Sequence, residues 1–145
     1  MRALVQRVSR ASVSIDNALI SKIGPGLLIL LGVRKGDTEQ DCDWLADKAG
    51  ALRIFPDAEG RMNEPLGDRE VLCVSQFTLY GDARRGNRPS FVDAAEPTRA
   101  EALYERFCDR LHAQRGVFGA MMDVELINDG PVTLMLESPG SSSRG

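Results

Sequence analysis

The sequence contains a single histidine, and this scarcity limits the catalytic chemistry that the chain can supply. His112 lies one position past the apolar stripe of a predicted helix, so a helix-surface position near the helix C-terminus is favoured over a general base. A Ser-His-Asp triad depends on a histidine beside the nucleophile, and a His-based zinc site depends on several. The sequence therefore predicts neither site and indicates no metal and no organic cofactor.

Cysteine pairs and membrane-length apolar runs are also absent. Cys42, Cys73 and Cys108 are odd in number, far apart and without metal-ligand spacing, so we predict reduced core thiols in a cytoplasmic protein. The N-terminal residues lack the charged and apolar regions of a signal peptide, and no apolar run approaches the length of a membrane span. We therefore expect neither secretion nor membrane insertion.

Positive charge is scarce as well: the sequence has 18 Lys and Arg residues against 21 Asp and Glu residues, which gives a net charge of -3. Phosphate contacts supply most of the affinity of general nucleic-acid binders, so this balance argues against broad nucleic-acid binding. An RNA substrate requires either a grip on a small end of the RNA or a local basic cluster. The best such cluster is Arg84, Arg85 and Arg88, for which a solvated loop is the favoured interpretation.

Apolar periodicity predicts short strands in the first third of the chain, followed by a helix. The predicted strands cover residues 3–8, 11–15, 19–23 and 27–33. Apolar residues then recur at helical spacing over residues 38–52, and Asp37 with Gln40 resembles a capping box. A second helix is predicted to begin at Pro97, with Thr98 and Glu101 as its cap pair, and to end at Gly116.

The remaining segments predict loops and a tail around one domain. Residues 57–67 and 81–89 are rich in turn-forming residues, and the Ser- and Gly-rich residues 139–145 predict a disordered tail after a domain at 1–138. A chain of 145 residues is long enough to bury roughly 70% of its unfolded surface in one core. We expect an α+β fold: a curved, largely antiparallel, barrel-like sheet with two packed helices.

Two short stretches interrupt apolar strand patterns with residues that a core strand does not need. Ser75-Gln76-Phe77-Thr78-Leu79 follows the apolar residues 71–74 and predicts a polar rim at the end of a buried strand. Asn128-Asp129-Gly130-Pro131-Val132-Thr133 separates two alternating segments and predicts a projecting hairpin tip. On the sequence alone the Gly130-Pro131 bond is expected to be trans, because only about 5% of X-Pro bonds in folded proteins are cis.

These two stretches resemble the signature motifs of the D-aminoacyl-tRNA deacylase family, a Ser-Gln-Phe-Thr-Leu stretch and a Gly-cisPro. The resemblance extends to further segments, namely residues 2–8, 10–13, 26–28, 31–33, 53–55, 57–60 and 88–91. It implies a homodimer that hydrolyses the ester between a D-amino acid and the acceptor end of tRNA and rejects L-aminoacyl groups. Because glycine has no side chain for such rejection to exclude, we also expect hydrolysis of glycyl-tRNA mischarged on a non-cognate tRNA.

The resemblance implies roles for individual residues of this sequence. The catalytic pocket is assigned to Ser75, Gln76, Phe77 and Thr78. Gly130 and Pro131 form a cis dipeptide that enters the pocket of the partner subunit, where its carbonyl oxygens face the chiral centre of the aminoacyl group. Arg7 fastens that dipeptide through its guanidinium, and Phe118 stacks on the terminal adenine, a contact worth roughly 1 to 3 kcal/mol.

The chemistry within the pocket stays open at the level of sequence. Thr78 as a nucleophile needs an adjacent base that the chain does not offer, and an ordinary β-branched strand residue is an equal alternative. Backbone N–H groups near residues 75–77 are candidates for stabilising an oxyanion. The resemblance implies hydrolysis assisted by the ribose hydroxyl next to the ester, and the lack of a base is consistent with that route.

Two other classes of function compete with the deacylase interpretation. The first is a non-catalytic nucleic-acid-binding module whose binding face combines Phe77 and Phe118 with Arg84, Arg85 and Arg88. The second is a purely structural domain, which has little use for Ser75 and Gln76 at the end of a buried strand.

Overall fold

The long first strand organises the sheet. The structure is a computed structural model that describes residues 1–140, and its strands are β1 Arg2–Ile15, β2 Ala18–Ile23, β3 Gly26–Gly32, β4 Phe55–Pro56, β5 Met62–Glu64, β6 Glu70–Ser75, β7 Gln114–Arg115 and β8 Asp123–Glu137. The helices are α1 Glu39–Ala51, α2 Pro97–Leu111 and a 3₁₀ helix Phe77–Tyr80. The predicted strands 3–8 and 11–15 are therefore one strand. Val8 and Arg10 of β1 pair with the consecutive residues Asn128 and Ile127 of β8, so the exposed Ser9 between them is an extra residue without a partner in β8. This bulge explains why the alternation of apolar and polar residues breaks at this point of β1.

The sheet is curled and mixed. β1 pairs antiparallel with β8 along one edge and with β3 and β2 along the other, whereas β3, β6 and β7 are parallel to one another. The Ser21 hydroxyl of β2 donates to the carbonyl oxygen of Arg115 in β7 (2.6 Å), which links the two ends of the strand order. The expected α+β fold with a barrel-like sheet is confirmed, with a larger parallel part than the sequence predicts.

The two helices pack together over one face of the sheet. Tyr104 and Phe107 of α2 are fully buried in the core, and the Tyr104 hydroxyl donates to the Cys73 carbonyl oxygen of β6 (2.8 Å). On the outer side, Arg106 pairs with Asp43 of α1 at 2.8 Å. All three cysteines are buried and free, as predicted. The close contact between α2 and β6 fixes the strand end from which the candidate site is built.

The capping box of α1 differs from the prediction by one residue. The N-cap is Thr38, whose hydroxyl accepts from the Asp41 N–H, while the Asp41 carboxylate accepts from the Thr38 N–H. Asp37 is engaged elsewhere, since its carboxylate accepts from the Met1 amino group (3.0 Å) and from the Arg34 N–H (2.6 Å). A contact across 36 residues is not visible in a local pattern, and the predicted Asp37–Gln40 cap is wrong.

The predicted start of α2 at Pro97 is confirmed, but its predicted cap pair, Thr98 with Glu101, and its predicted end at Gly116 are wrong. Its N-cap is Glu96, which makes no capping hydrogen bond through its side chain, and Pro97 occupies the first turn. The helix ends at Leu111 because His112 adopts a left-handed conformation with φ 52°, and the His112 N–H donates back to the Asp109 carbonyl oxygen. The chain then enters β7, so Gly116 lies well beyond the helix.

Smaller differences concern the loops and the tail. The predicted loop 57–67 contains β5, which pairs with β4 in a two-stranded sheet. Residues 141–145 of the predicted tail lie outside the described residues. Across residues 1–140, no helix is both long and apolar enough to span a lipid bilayer.

Candidate active site

The first sequence motif turns the chain from a buried strand into a 3₁₀ helix. Residues 71–74 of β6 are buried, and the Gln76 N–H still donates to the Leu31 carbonyl oxygen of β3 (2.8 Å). The chain then turns, and Leu79 donates to the Gln76 carbonyl oxygen as the first bond of the 3₁₀ helix. Thr78 is exposed on this helix, so its interpretation as an ordinary strand residue is wrong.

An open cavity of about 680 Å³ lies at this strand end and is called here the motif cavity. All four predicted catalytic residues, Ser75, Gln76, Phe77 and Thr78, line one side of it. The other lining residues are small or apolar, namely Val33, Val74, Phe91, Ala94, Ala95, Pro97, Ala100, Phe118, Gly119, Ala120, Met121, Met122 and Val124. The cavity has a mostly apolar wall and one polar edge, which is typical of a small-molecule or nucleotide pocket.

The polar edge contains hydroxyl, amide and backbone groups. The Gln76 side-chain amide donates to the Thr78 hydroxyl oxygen. The N–H groups of Phe77 and Thr78 precede the first bond of the 3₁₀ helix, and the leading N–H groups of a helix have no acceptor within it. Within the described chain, none of the residues that line the cavity has a titratable side chain. The edge can therefore donate hydrogen bonds to a reacting group but offers no general base.

Aromatic side chains form the rim of the motif cavity. Phe77 is 55% exposed and makes an edge-to-face contact with Phe91, with ring centroids 5.1 Å apart. Phe118, which the resemblance assigns to adenine stacking, is half-buried on the cavity wall and tilted against the buried Tyr104 ring at 6.1 Å. The motif cavity thus presents aromatic surface of the kind on which a base can stack.

The second motif forms a bulge inside a strand, and the predicted hairpin tip is wrong. Residues 124–127 and 132–136 belong to the single strand β8, which pairs with β1 on both sides of the motif. The four residues 129–132 lie opposite Arg7 alone, so the chain bows out between Asn128 and Thr133. The Gly130-Pro131 bond is cis, as the resemblance implies and contrary to the expectation from X-Pro frequencies.

Side chains on both strands hold this bulge. The Asn128 amide oxygen accepts from the Val132 N–H (2.9 Å), and its amide nitrogen donates to the Thr133 hydroxyl (2.8 Å). The Arg7 guanidinium donates to the Asp129 carbonyl oxygen (3.0 Å) and to the Ile54 carbonyl oxygen (2.7 Å). Arg7 lies within β1, and its side chain is only 12% exposed, so an exposed edge-strand arginine, the alternative to a role in fastening the dipeptide, is excluded.

The two motifs do not meet within one chain. The residues that line the motif cavity include none from the bulge 128–133, and Gly130 and Pro131 are exposed. Gly130 has φ +137°, and a Cβ at this position would lie 2.8 Å from the Val132 Cγ2 atom and 2.9 Å from its nitrogen. The bulge is therefore specific to glycine at position 130 and faces outward.

The other residues considered from sequence lie outside both motifs. The Arg84 guanidinium is paired with Asp82 (2.8 Å), which lowers the pKa of that carboxyl to about 2 through the side-chain hydrogen bond. His112 is the exposed C-cap residue that follows α2, and it does not line the motif cavity. In residues 1–140 no three His, Cys, Asp or Glu side chains cluster closely enough to hold a metal ion.

With this geometry in view, comparison with known proteins identifies the family. A sequence model of the D-Tyr-tRNA(Tyr) deacylase family matches residues 4–137. The chain belongs to this family. It is 57% identical to the D-aminoacyl-tRNA deacylase of Myxococcus xanthus, over 99% of this chain and 98% of that relative. It is 54% identical to the D-aminoacyl-tRNA deacylase of Thermotoga petrophila, over 95% of this chain and 97% of that relative.

Solved structures show the same fold for this deacylase-family chain. The c-Myc DNA Unwinding Element Binding Protein superposes with a TM-score of 0.91 at 41% identity, covering 97% of this chain and 100% of that one. A probable eukaryotic D-amino acid tRNA deacylase superposes with a TM-score of 0.77 at 17% identity, covering 94% and 98%. The second similarity supports the fold alone.

Sequence reasoning missed the far wall of the motif cavity. Ala94, Ala95 and Ala100 flank the start of α2, and their small side chains leave the space that makes the cavity. Met121, which is 91% exposed, stands at the same cavity. A run of small residues before a helix is common in proteins without a site, so only the tertiary arrangement identifies this wall.

Proposed function

We propose that the protein hydrolyses the ester bond of D-aminoacyl-tRNA and releases free tRNA and the D-amino acid. Membership of the deacylase family supports the type of reaction. The observation that carries the proposal for this chain is the motif cavity, in which Ser75 to Thr78 form a hydrogen-bonding edge without a titratable side chain. An ester of tRNA brings its own hydroxyl group to such a pocket.

The chemistry then depends on the substrate as much as on the protein. Water attacks the ester carbonyl carbon, the bond to the ribose oxygen breaks, and that oxygen receives a proton. The neighbouring ribose hydroxyl positions the water and relays the proton, a task that general-base side chains perform elsewhere. The N–H groups of Phe77 and Thr78 stabilise the negative charge that develops on the carbonyl oxygen. Gln76 holds the Thr78 hydroxyl as an acceptor, which leaves the hydroxyl proton available to the substrate.

The adenine of the terminal nucleotide stacks on the aromatic rim, where Phe118 is the assigned platform. Aromatic side chains on the largely apolar wall bind a base by its face. This contact does not involve the aminoacyl group, so it depends little on which amino acid is attached. Phe77 and Phe91 support this rim through their edge-to-face contact.

We further propose a homodimer in which the bulge of one subunit completes the motif cavity of the other. The supporting observation is the separation of the two motifs: Gly130 and Pro131 are exposed on β8 and do not line the cavity of their own chain. In the partner's cavity, their carbonyl oxygens face the chiral centre and exclude an L side chain. Arg7 holds the bulge in place through the Asp129 carbonyl oxygen. We assign the reaction to the cytoplasm, where aminoacyl-tRNA is made and used.

The non-catalytic nucleic-acid-binding module is not favoured as an alternative. Its proposed basic face loses Arg84 to the ion pair with Asp82, and the net charge of the chain is negative.

The decisive experiment compares D-tyrosyl-tRNA and L-tyrosyl-tRNA as substrates of the purified protein. We expect rapid release of tyrosine from the D form and release from the L form at the spontaneous rate. Gln76→Ala serves as the site variant and Gln114→Ala, a substitution on the exposed strand β7, as the matched control. Equal spontaneous rates for both substrates with folded protein contradict the proposal and favour the binding module.

A further inference from the structure

A second cavity of about 410 Å³ opens beside the far end of the 3₁₀ helix, and it is called here the arginine cavity. Its lining residues are Arg2, Arg34, Tyr80, Gly81, Asp82, Ala83, Arg84 and Asp93. The 3₁₀ helix joins the two cavities, because Phe77 and Thr78 line the motif cavity and Tyr80 lines the arginine cavity. A chain whose end lies in the motif cavity therefore has a short path to the arginine cavity.

The Tyr80 hydroxyl is the most telling feature of the arginine cavity. Tyr80 is only 5% exposed, and its hydroxyl oxygen is buried with no hydrogen-bond partner among residues 1–140. Tyr80 and Arg34 line both this cavity and a neighbouring one of about 340 Å³ that also contains Asp37. Buried polar side-chain atoms are nearly always paired, so an unpaired hydroxyl on a residue that lines a cavity points to a ligand. Burial raises the pKa of this hydroxyl, with the Asp37 charge as a further cause, so it stays protonated and acts as a donor.

The guanidinium groups of the arginine cavity differ in what they contact. Arg2 stacks over the Tyr80 ring at 4.5 Å and donates to Glu137 and to the Leu79 carbonyl oxygen, which fixes the ring. Arg84 is paired with Asp82. Arg34 is exposed and makes no ion pair and no side-chain hydrogen bond with any described residue. One free guanidinium therefore stands at the same cavity as one free hydroxyl.

Carboxylates at the same cavity narrow the choice of ligand. Asp93 lies beside Arg34 in the fold, since the Lys35 N–H donates to the Asp93 carbonyl oxygen (2.9 Å) and Arg34 bridges to Ala94. Its carboxylate forms no ion pair among the described residues, and it would repel a compact polyanion. It suits a group that places a hydroxyl donor next to a phosphate, which is the arrangement in the ribose-phosphate chain of RNA.

We propose that the arginine cavity binds one ribose-phosphate unit of the RNA substrate, with Arg34 and the Tyr80 hydroxyl as donors to the phosphate and Asp93 as acceptor for a ribose hydroxyl. This assignment rests on the proposed function only in naming tRNA as the RNA. The contact positions the acceptor end so that its terminal nucleotide enters the motif cavity. It also explains how a chain of net charge -3 holds RNA, by one built site in place of a broad basic face.

The first test measures the Kd for uncharged tRNA at several salt concentrations. Arg34→Gln weakens binding on the order of tenfold and reduces the slope of log Kd against log salt by about 1. Tyr80→Phe weakens binding about threefold or more while the melting temperature stays level or rises, because the lost hydroxyl has no partner in the protein. The matched controls are Arg61→Gln, an exposed arginine on another loop, and Tyr104→Phe, whose hydroxyl donates to Cys73. Both controls keep the wild-type Kd.

A second arm separates this inference from the proposed function. D-aminoacyl-adenosine carries the ester but no phosphate, so Arg34→Gln and Tyr80→Phe hydrolyse it at the wild-type rate while their KM for D-aminoacyl-tRNA rises. If the wild-type protein hydrolyses neither substrate, the proposed function fails and the tRNA binding data still decide the inference. Wild-type Kd values for both variants overturn it. Inorganic phosphate or AMP that displaces tRNA at micromolar concentration through Arg34 also overturns it, since the site then belongs to a free phosphate ligand.

Discussion

The end of β6 and the bulge of β8 contain the two sequence motifs, and the protein builds them in opposite ways. Ser75 to Thr78 line a concave cavity, whereas Gly130 and Pro131 stand on a convex, exposed segment held from behind by Arg7. The first region is here called the receptacle and the second the projection. A single chain therefore keeps the two motifs apart, and this separation is the observation that supports the proposed homodimer.

The surface around the bulge also supports the proposed homodimer. Ile127, Leu134 and Met135 of β8 are 46%, 39% and 50% exposed, so apolar side chains flank the projection on both sides. Exposed apolar residues that occur as a group are typical of an interaction surface. Changes to the substrate and to each region test whether the receptacle and the projection act together, and how much of the chemistry each supplies.

The largest effect is expected from the substrate. Because the lining of the motif cavity offers no titratable side chain, replacing the terminal adenosine of D-aminoacyl-tRNA by 2′-deoxyadenosine removes the proton relay. We expect kcat to fall by about 10² to 10⁴, the range for loss of general acid–base catalysis. Single-turnover rates with 3′-aminoacylated tRNA of both kinds measure this. Equal rates would show that the protein itself supplies a base.

The next largest effect is expected from the projection. In Gly130→Ala the new Cβ lies 2.8 Å from the Val132 Cγ2 atom, so the bulge must shift, and a displacement near 1 Å costs about 100-fold in kcat/KM. Gly36→Ala is the matched control, because Gly36 also has positive φ (+87°) but a Cβ there meets nothing within 4 Å. That control suffers backbone strain alone and keeps its activity. Comparable losses in both variants would assign the effect to general destabilisation.

Mixing subunits sharpens the same comparison. A Gly130→Ala subunit keeps an intact cavity, and a Gln76→Ala subunit keeps an intact bulge, so a hybrid dimer has one complete site. Random mixing makes half of the dimers hybrids and recovers about a quarter of the wild-type activity. Activity of the mixture equal to the sum of the separate variants, or a clean monomer in light scattering, contradicts the shared site.

A smaller effect is expected from a single methyl group on the substrate. If carbonyl oxygens of the bulge exclude an L side chain, glycine has nothing to exclude on either face. Glycyl-tRNA is then hydrolysed along with D-alanyl-tRNA, while L-alanyl-tRNA is slower by about 10- to 200-fold, the usual cost of one misplaced methyl group. The three substrates are compared under one condition. Glycyl-tRNA as resistant as L-alanyl-tRNA would mean that the cavity recognises the D side chain positively.

The receptacle and the projection also differ in how far sequence could predict them. The strand before Ser75 and its polar end followed from local pattern, because burial and alternation depend on neighbouring residues. The bulge did not, since its form depends on β1 pairing with β8 on both sides of it. A motif of turn-forming residues between two alternating segments fits a hairpin equally well. Only the length of the partner strand distinguishes the two structures.

Other features that the sequence did not predict also depend on contacts between distant segments of the chain. The predicted cap of α1 was wrong because the Asp37 carboxylate binds the Met1 amino group, which is 36 residues away in sequence. The arginine cavity passed unnoticed because Arg34 and Tyr80 are 46 residues apart and each looks ordinary in its own segment. The assignments of Gly130, Arg7 and Phe118 came from family resemblance, and their roles in catalysis remain predictions. Local sequence patterns predict helices and strands, whereas a binding or catalytic site depends on contacts between helices and strands that are distant in sequence.

The smallest effect is expected within the receptacle itself, at Thr78. Its hydroxyl accepts from the Gln76 amide and has no base beside it, so it is a hydrogen-bonding group and not a nucleophile. Thr78→Val keeps the shape and removes the hydroxyl, and the loss of one neutral hydrogen bond lowers kcat/KM by about tenfold at most. Thr78→Ser, which keeps the hydroxyl, stays near wild type.

Rapid quench followed by mass spectrometry of the intact protein looks for acyl-threonine, and we expect none. A trapped acyl-enzyme, or complete loss of turnover in a folded Thr78→Val, would transfer the chemistry from the substrate hydroxyl to the protein. The mechanism would then include a covalent acyl-enzyme intermediate at Thr78 of the receptacle.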